Sequence, residues 1–367
     1  MKIGIITLSA SNNCGSLLQA YALKKTLEKY GDVDVINFSS KESHVMYDAP
    51  HYRGIRNILN YKRIKILSKG VSDYDSFRRD YIGISGKEYQ IEDLKEISDY
   101  YDVVVAGSDQ VWNVQMWDYS DAFFLGWSNS RKVAYAPSLG GSHLSLSHNL
   151  SEIKRWLEDI SFLSVREDTG KKCLEEVTGR EVPKLLDPTL ILNEDQWNQL
   201  IGEPLIKGDY IFYYSWAYCE DDTSRIVTNK SKQSGMPVYV IDSRKWVSKK
   251  PKKWNFYLFE STGPITFLNL MKYAKLCYVE SFHGMVFAYI FKKNFWLLDT
   301  HERIEDLDYR LSEFVKIIGA QNRVLTKYNC AQIDQDKCIS YENNELLNRL
   351  KIESWNYLDA AFKEFES

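Results

Sequence analysis

Proton transfer and anion binding fall mostly to histidine, arginine and carboxylate side chains, and this chain has six histidines among 367 residues. One of them, His283, interrupts an apolar run. In KLCYVESFHGMVFAYI, Lys275 to Ile290, the hydrophobic pattern stops at Glu280–Gly284 and then resumes. A short apolar run broken in this way reads as a buried strand handing over to a helix. Ser281, His283 and Gly284 then sit beside the first backbone N–H groups of that helix, a setting that suits an anion. An ordinary imidazole titrates near pH ~6.5, which makes His283 the best general acid in the chain. The plainer alternative is a capped strand end with a satisfied histidine.

Four further loops follow apolar runs. SASNNCGSLLQAYAL, Ser9 to Leu23, sets Asn12, Asn13 and Ser16 around Gly15 just before a helical pattern, a layout for sugar hydroxyls or an anion. It contains no GxGxxG fingerprint, so dinucleotide binding has no support. AGSDQVWN, Ala106 to Asn113, offers Asp109 and Gln110 for hydroxyls and the Trp112 ring for the apolar face of a sugar; a capping aspartate is the alternative. In LSVREDTG, Leu163 to Gly170, Arg166 leaves a strand beside two acids, fit for anion binding or for structural pairing with a carboxylate. LLDPTL places Asp187 before a proline at an expected hinge, mainly in a structural role.

Strands and helices must position these loops. Ile3–Leu8, the helical spacing of Leu17, Leu18, Ala20, Tyr21, Leu23 and Leu27, and Val33–Phe38 predict a β-α-β unit with parallel strands. Further strands are expected at Asp102–Ala106, Lys132–Ala136, Phe162–Val165 and Pro183–Leu186, and, in a second series, at Tyr210–Trp216, Pro237–Asp242, Leu276–Ser281 and Phe295–Asp299. The expected organisation is an α/β chain of two doubly wound, Rossmann-like domains facing across a cleft, GT-B-like in arrangement. The first domain spans 1–195, with a helical insertion at about 41–96. The second spans 196–345, and a terminal helix, 346–367, packs back on the first.

Composition narrows the function classes. With 44% hydrophobic and 26% charged residues the chain is a folded globular protein. Lys plus Arg is 47 against 50 for Asp plus Glu, a net charge of −3, which gives nucleic acid no electrostatic case as a partner. Six scattered cysteines with no CxxC pair match neither a zinc site nor a disulfide framework. The first residues, MKIGIITLSAS, lack a signal-peptide layout, and no segment reaches spanning length without charges. The expectation is a soluble cytoplasmic protein, with the basic stretch Tyr61–Gly70 available for peripheral contact at the inner face of the membrane.

NNCGSLLQAYAL, VVVAGSDQVWN, SVREDTG, LLDPTL and GPITFLNLMKYAKLCYVESFHGMVFAYI together resemble the polysaccharide pyruvyl transferase family, in that family's order and from the start of the chain to about Phe295. The resemblance implies a GT-B-like fold and phosphoenolpyruvate as donor. It also implies two hydroxyls of a hexose, of galactose type, as acceptor, in a glycan or a polyprenyl-diphosphate-linked repeat unit. The product would be a cyclic ketal of an exopolysaccharide or capsule, with phosphate released. No cofactor is implied beyond phosphoenolpyruvate as co-substrate, no metal-ligand cluster is visible, and a homo-oligomer is compatible with this reading. Carried onto this chain, Arg166, Ser281, His283 and Gly284 fall on the donor side. Asn12, Asn13, Gly15, Ser16, Asp109, Gln110 and Trp112 fall on the acceptor side, with His283 as acid and Asp109 as base or acceptor-positioning group. Two positions depart from the family pattern. Some members carry an arginine where this chain has Ser281, so Lys272, Lys275 or Arg310 would have to supply the cation, and Cys14 replaces an aromatic residue. Two rival readings share the fold: a glycosyltransferase using a nucleotide sugar, and a non-catalytic glycan-binding protein.

Overall fold

A computed structural model of the chain describes residues 1–40, 42, 61–215, 221–241, 254–299, 307–331, 333–339, 341 and 344–363. Trp216 and Asp242, expected at strand ends, and residues 43–60 of the expected insertion lie outside them. The described residues fall into two compact units. One lies within Met1–Asp48, Arg78–Leu192 and Glu345–Ser367, the other within Ala49–Phe77 and Asn193–Asn344.

The first unit is built on a parallel sheet of β1 (Lys2–Ile6), β2 (Asp32–Val35), β3 (Val103–Gly107) and β4 (Arg131–Tyr135), in the order β2-β1-β3-β4. Every residue of β3, VVVAG, is buried, as a strand covered on both faces requires. β2, DVDV, alternates exposed and buried because it lies at the edge. Helix α1 (Cys14–Leu27) makes the crossover from β1 to β2, and only Lys24 and Lys25 along it escape burial. Ile6, Val104, Ala106, Ala134, Trp112 and Phe124 belong to the core that this layer encloses.

Phe162–Val165 and Pro183–Leu186 were expected as strands but form only single parallel bridges, Val133 with Phe162 and Val165 with Lys184. The reason is chemical. Ser164 Oγ accepts from the Ala136 N–H at 3.0 Å and donates to the Ala134 carbonyl at 2.5 Å, taking bonds that a strand backbone would make, and Pro183 has no N–H to give.

The C-terminal helix, Glu345–Lys363, belongs to this first unit. Tyr357 Oη donates to the Ala134 carbonyl at 2.8 Å, the Leu186 N–H donates to Ser354 Oγ at 3.1 Å, and Tyr30 stacks on Phe362.

The second unit holds six parallel strands: β5 (Ile211–Tyr214), β6 (Val238–Val240), β7 (Phe256–Leu258), β8 (Leu276–Val279), β9 (Phe295–Leu298) and β10 (Val324–Leu325). Their order is β10-β9-β8-β5-β6-β7. β7 and β10 were not among the expected strands, being only three and two residues long. Aromatic side chains fill the interior of this unit, with Tyr213 of β5 packing edge to face against Phe256 of β7. The helix Tyr61–Phe77, expected inside an insertion of the first domain, belongs to this unit instead. Asp73 Oδ2 accepts from Ser261 Oγ at 2.9 Å and from the Thr262 N–H at 3.1 Å, so a hydrogen-bonded carboxylate ties it there.

Both strand orders reverse direction once. In the first unit the chain goes from β1 outward to β2 and returns to β3 on the other side; in the second it runs β5, β6, β7 and returns to β8. The loops after the carboxyl ends of β1 and β3, and of β5 and β8, are therefore the topological switch points, where open α/β sheets bind ligands. Among the described residues no helix is long and apolar enough to cross a membrane.

Candidate active site

In the first unit the switch point is filled by buried polar side chains. Gln19, fully buried on α1, spans the ends of β1 and β3: its Nε2 donates to Thr7 Oγ1 at 2.8 Å and its Oε1 accepts from the Ser108 N–H at 3.1 Å. Asp109 follows in the left-handed region at φ 64°, a conformation that aspartate tolerates better than most residues. Its Oδ2 accepts from Ser16 Oγ at 2.7 Å, and its Oδ1 lies 3.7 Å from Arg166 Nη2. Arg166 Nη1 donates to Asp187 Oδ2 at 2.6 Å, and Asp187 Oδ1 accepts from the backbone and hydroxyl of Thr189. One cation thus stands between two carboxylates, all nearly out of water, and each buried charge has an opposite neighbour. Asp187 thereby sets the position of Arg166.

The remaining residues expected on the acceptor side divide. Asn13 caps α1, its Oδ1 accepting from the N–H groups of Gly15 and Ser16. Asn12 Oδ1 accepts from Arg78 Nη2 at 2.6 Å; the same guanidinium donates to the carbonyls of Ser9, Ala10 and Ser11 and clamps the loop between β1 and α1. Nothing in the sequence around Arg78 announces this, because its partners are backbone carbonyls nearly seventy positions away. Gln110 Oε1 accepts from Asn113 Nδ2 at 3.0 Å.

Trp112 corrects the sequence reading. It is fully buried, stacks on Phe124 at 5.3 Å and donates its Nε1–H to the Phe123 carbonyl, so it presents no face to a sugar. The exposed ring of this turn is Trp117, at 39% exposure. Apolar periodicity cannot separate the two tryptophans; only the packing does. Cys14 is buried at the start of α1, away from any role as an accessible nucleophile.

In the second unit β8 ends at Val279, and Glu280 follows as an acceptor for the hydroxyls of Tyr213 and, at 2.6 Å, Ser215, both from the end of β5. Burial and the adjacent Glu280 charge raise the Tyr213 phenol well above its ordinary range, so the proton of that bond stays on tyrosine. Helix α8 (Phe282–Ile290) starts next. Ser281 is its N-cap, with Oγ accepting from the Gly284 N–H at 3.1 Å. A Cβ on Gly284 would stand 2.9 Å from Ser281 Oγ and 3.0 Å from Tyr214 Cδ1, so only glycine lets the helix approach the strands this closely. His283 lies in the first turn, 8% exposed, its ring edge-on to Phe282.

Two of the cations suggested to replace a donor-side arginine stand at the wrong end of the sheet. Lys275 precedes β8 and pairs with Asp209, and Lys272 lies near the end of the preceding helix Pro264–Tyr273. Four strand residues, about 13 Å, separate them from His283. Arg310 is different. It sits one turn before Phe314 on the helix Tyr309–Ile317, and the Phe314 ring packs against Phe282 at the start of α8. Its guanidinium forks onto Asp308. Among the described residues no group of three or more His, Cys, Asp or Glu is placed to hold a metal ion.

The profile of the polysaccharide pyruvyl transferase family matches residues 13–302, a span that includes Asp109, Arg166, Asp187, Glu280 and His283. The chain belongs to the polysaccharide pyruvyl transferase family. It is accordingly a transferase of polysaccharide biosynthesis. Among solved structures it is similar to UDP-GlcNAc 2-epimerase from Methanocaldococcus jannaschii, at 13% identity over 97% of this chain and 100% of that one, with a TM-score of 0.52. It is also similar to S. aureus MnaA in a co-structure with UDP, at 13% identity over 97% of each chain, with a TM-score of 0.53. At such identity the likeness shows the fold, which is GT-B-like. No curated protein matches the sequence at a significant level.

Proposed function

We propose that this transferase moves the pyruvyl group of phosphoenolpyruvate onto two hydroxyls of a hexose in a glycan or lipid-linked repeat unit, closing a cyclic ketal and releasing phosphate. The observation that carries this reading is His283 in the first turn of α8, at the switch point beside β5 and β8, where helix N–H groups favour an anion. His283 protonates the phosphate as it leaves, and Arg310, in place of the arginine that Ser281 replaces, adds the positive charge. In the first unit Asp109 accepts the proton of the attacking hydroxyl, Ser16 and Arg166 hold its carboxylate in place, and Trp117 offers the ring against which the sugar stacks. Arg166 serves the reaction through Asp109, since its guanidinium already lies between two carboxylates.

The test is thermal unfolding with phosphoenolpyruvate, phosphate, UDP and GDP, for wild type and His283→Ala. A ligand at a hundred times its dissociation constant adds about 2.7 kcal/mol. Phosphoenolpyruvate is expected to stabilise the wild type and not the variant, and loss of the acid should slow turnover roughly a hundred- to ten-thousand-fold. Stabilisation by UDP or GDP with none by phosphoenolpyruvate would turn the reading to glycosyl transfer.

A further inference from the structure

Arg78 lies outside every motif read from the sequence, yet its guanidinium reaches four successive residues of the loop between β1 and α1. Its Nε donates to the Ser9 carbonyl at 2.8 Å. Its Nη2 donates to the carbonyls of Ala10 and Ser11 at 2.8 and 2.9 Å, and to Asn12 Oδ1 at 2.6 Å. A planar fork of fixed geometry, bonded along consecutive residues, fixes their backbone path. Arg78 opens a short π-helix, Arg78–Ile82, an element that is rare and frequent at functional sites. The far end of this π-helix is tied to the same part of the fold, since Lys24 Nζ, on α1, donates to the Ile82 carbonyl at 2.8 Å. The Ile84 N–H donates to the Arg78 carbonyl at 2.9 Å and closes the segment on itself. Between them Gly83 has φ 79°, and a Cβ there would stand 3.1 Å from Lys24 Nζ, so glycine meets both the backbone and the close approach. The segment is a brace on α1, gripping the loop before the helix at one end and the helix itself at the other.

What the brace holds matters at Asp109. Asn12, the last residue in the grip of Arg78, adjoins the cap Asn13, and Ser16 stands in the first turn of α1. Ser16 Oγ makes the one hydrogen bond that the Asp109 carboxylate has among the described residues; Arg166 adds its charge from 3.7 Å, beyond hydrogen-bond reach. Helix ends fray unless their free backbone groups are held. We propose that Arg78 is a positioning residue: by fixing Ser9–Asn12 it holds the start of α1 and keeps Ser16 on the Asp109 carboxylate. For its consequence in turnover the inference rests on the pyruvyl-transfer reading, in which Asp109 is the base. Arg180 shows the same chemistry without that consequence. It grips the carbonyls of Leu157, Ile160 and Ser161 at 3.2, 2.9 and 3.4 Å, and none of these residues adjoins a proposed site residue.

The experiment compares, as full chains, wild type, Arg78→Ala, Arg78→Lys, Ser16→Ala, the Arg78→Ala/Ser16→Ala double variant and Arg180→Ala. The Asp109 carboxyl carbon is followed by NMR and identified by its loss in Asp109→Asn. Phosphate release from phosphoenolpyruvate with methyl β-D-galactopyranoside is measured alongside. Ser16→Ala should shift the Asp109 resonance, and Arg78→Ala should shift it the same way. The double variant should go no further than Ser16→Ala alone, the non-additivity of residues that act in one chain of contacts. Arg180→Ala should melt lower than wild type and leave the resonance in place. In turnover Arg78→Ala should lose about a hundredfold in kcat with the KM for phosphoenolpyruvate unchanged, the signature of a misplaced reacting group. Millimolar guanidinium should recover part of that loss. Arg78→Lys keeps the charge without the fork, should recover little, and carries the same test if Arg78→Ala does not fold. A resonance at its wild-type position in a folded Arg78 variant overturns the proposal. So does a shift as large in Arg180→Ala, or a shifted resonance with kcat intact. If wild type releases no phosphate and phosphoenolpyruvate does not raise its melting temperature, the pyruvyl-transfer reading falls, while the link from Arg78 to Asp109 is still judged by the resonance.

Discussion

The two switch points solve the burial of polar groups in opposite ways. At the end of β3 the groups are ions: Arg166 lies between Asp109 and Asp187, with Ser16 completing Asp109. At the end of β8 one carboxylate, Glu280, is held by two neutral hydroxyls, and the helix start beside it carries His283. Breaking a buried ion set costs more than weakening a hydrogen bond to a neutral partner, because the charge left behind stays desolvated. The first region is thus a rigid ionic frame around Asp109, the carboxylate proposed as the base. The second sets its imidazole in the first turn of a helix, beside backbone N–H groups that suit an anion.

The largest test of this contrast is Arg166→Ala, which strands two buried carboxylates. It should destabilise the protein by about 3–5 kcal/mol in urea unfolding, and Arg166→Lys should recover little, since an ammonium cannot reproduce the fork. If Arg166→Ala unfolds at the wild-type urea concentration, the ionic description of this end is wrong. Glu280→Gln keeps the shape and removes the charge from the hydroxyl contacts at the other end. The expected loss is about 1–2 kcal/mol, the difference between charged and neutral hydrogen bonds. A loss as large as that of Arg166→Ala would erase the distinction between the two regions. The smallest effect should come from Ser281→Ala, which removes the cap of α8 and costs about 1 kcal/mol. Because Ser281 acts here as a cap, stabilisation by phosphoenolpyruvate should persist in that variant; its disappearance would return Ser281 to direct donor contact.

Much of the fold was legible locally. Continuous apolar runs such as DVVVA mark strands buried on both faces, and the loops after them are where an α/β sheet binds. Short edges were not legible. β7 and β10 have too few residues to show a period, and Phe162–Val165 looks like a strand although Ser164 takes over its backbone bonds. In the candidate site, Asp109, Arg166 and His283 could be picked out because they carry charge or titrate in loops that follow apolar strand runs. Gln19 and Arg78 could not, since what matters about them is burial and partners far along the chain.

By itself, then, the sequence determined the parallel α/β character, the loops that carry the polar residues and the family, because each is written in contiguous residue types. Only the tertiary structure decided which tryptophan is core and which is exposed. It also decided that Arg166 lies between two carboxylates and that one oxygen of the Asp118 carboxyl is buried without a hydrogen-bond partner among the described residues. Those outcomes depend on desolvation and on distances between residues tens of positions apart, quantities that no local pattern of residue types contains.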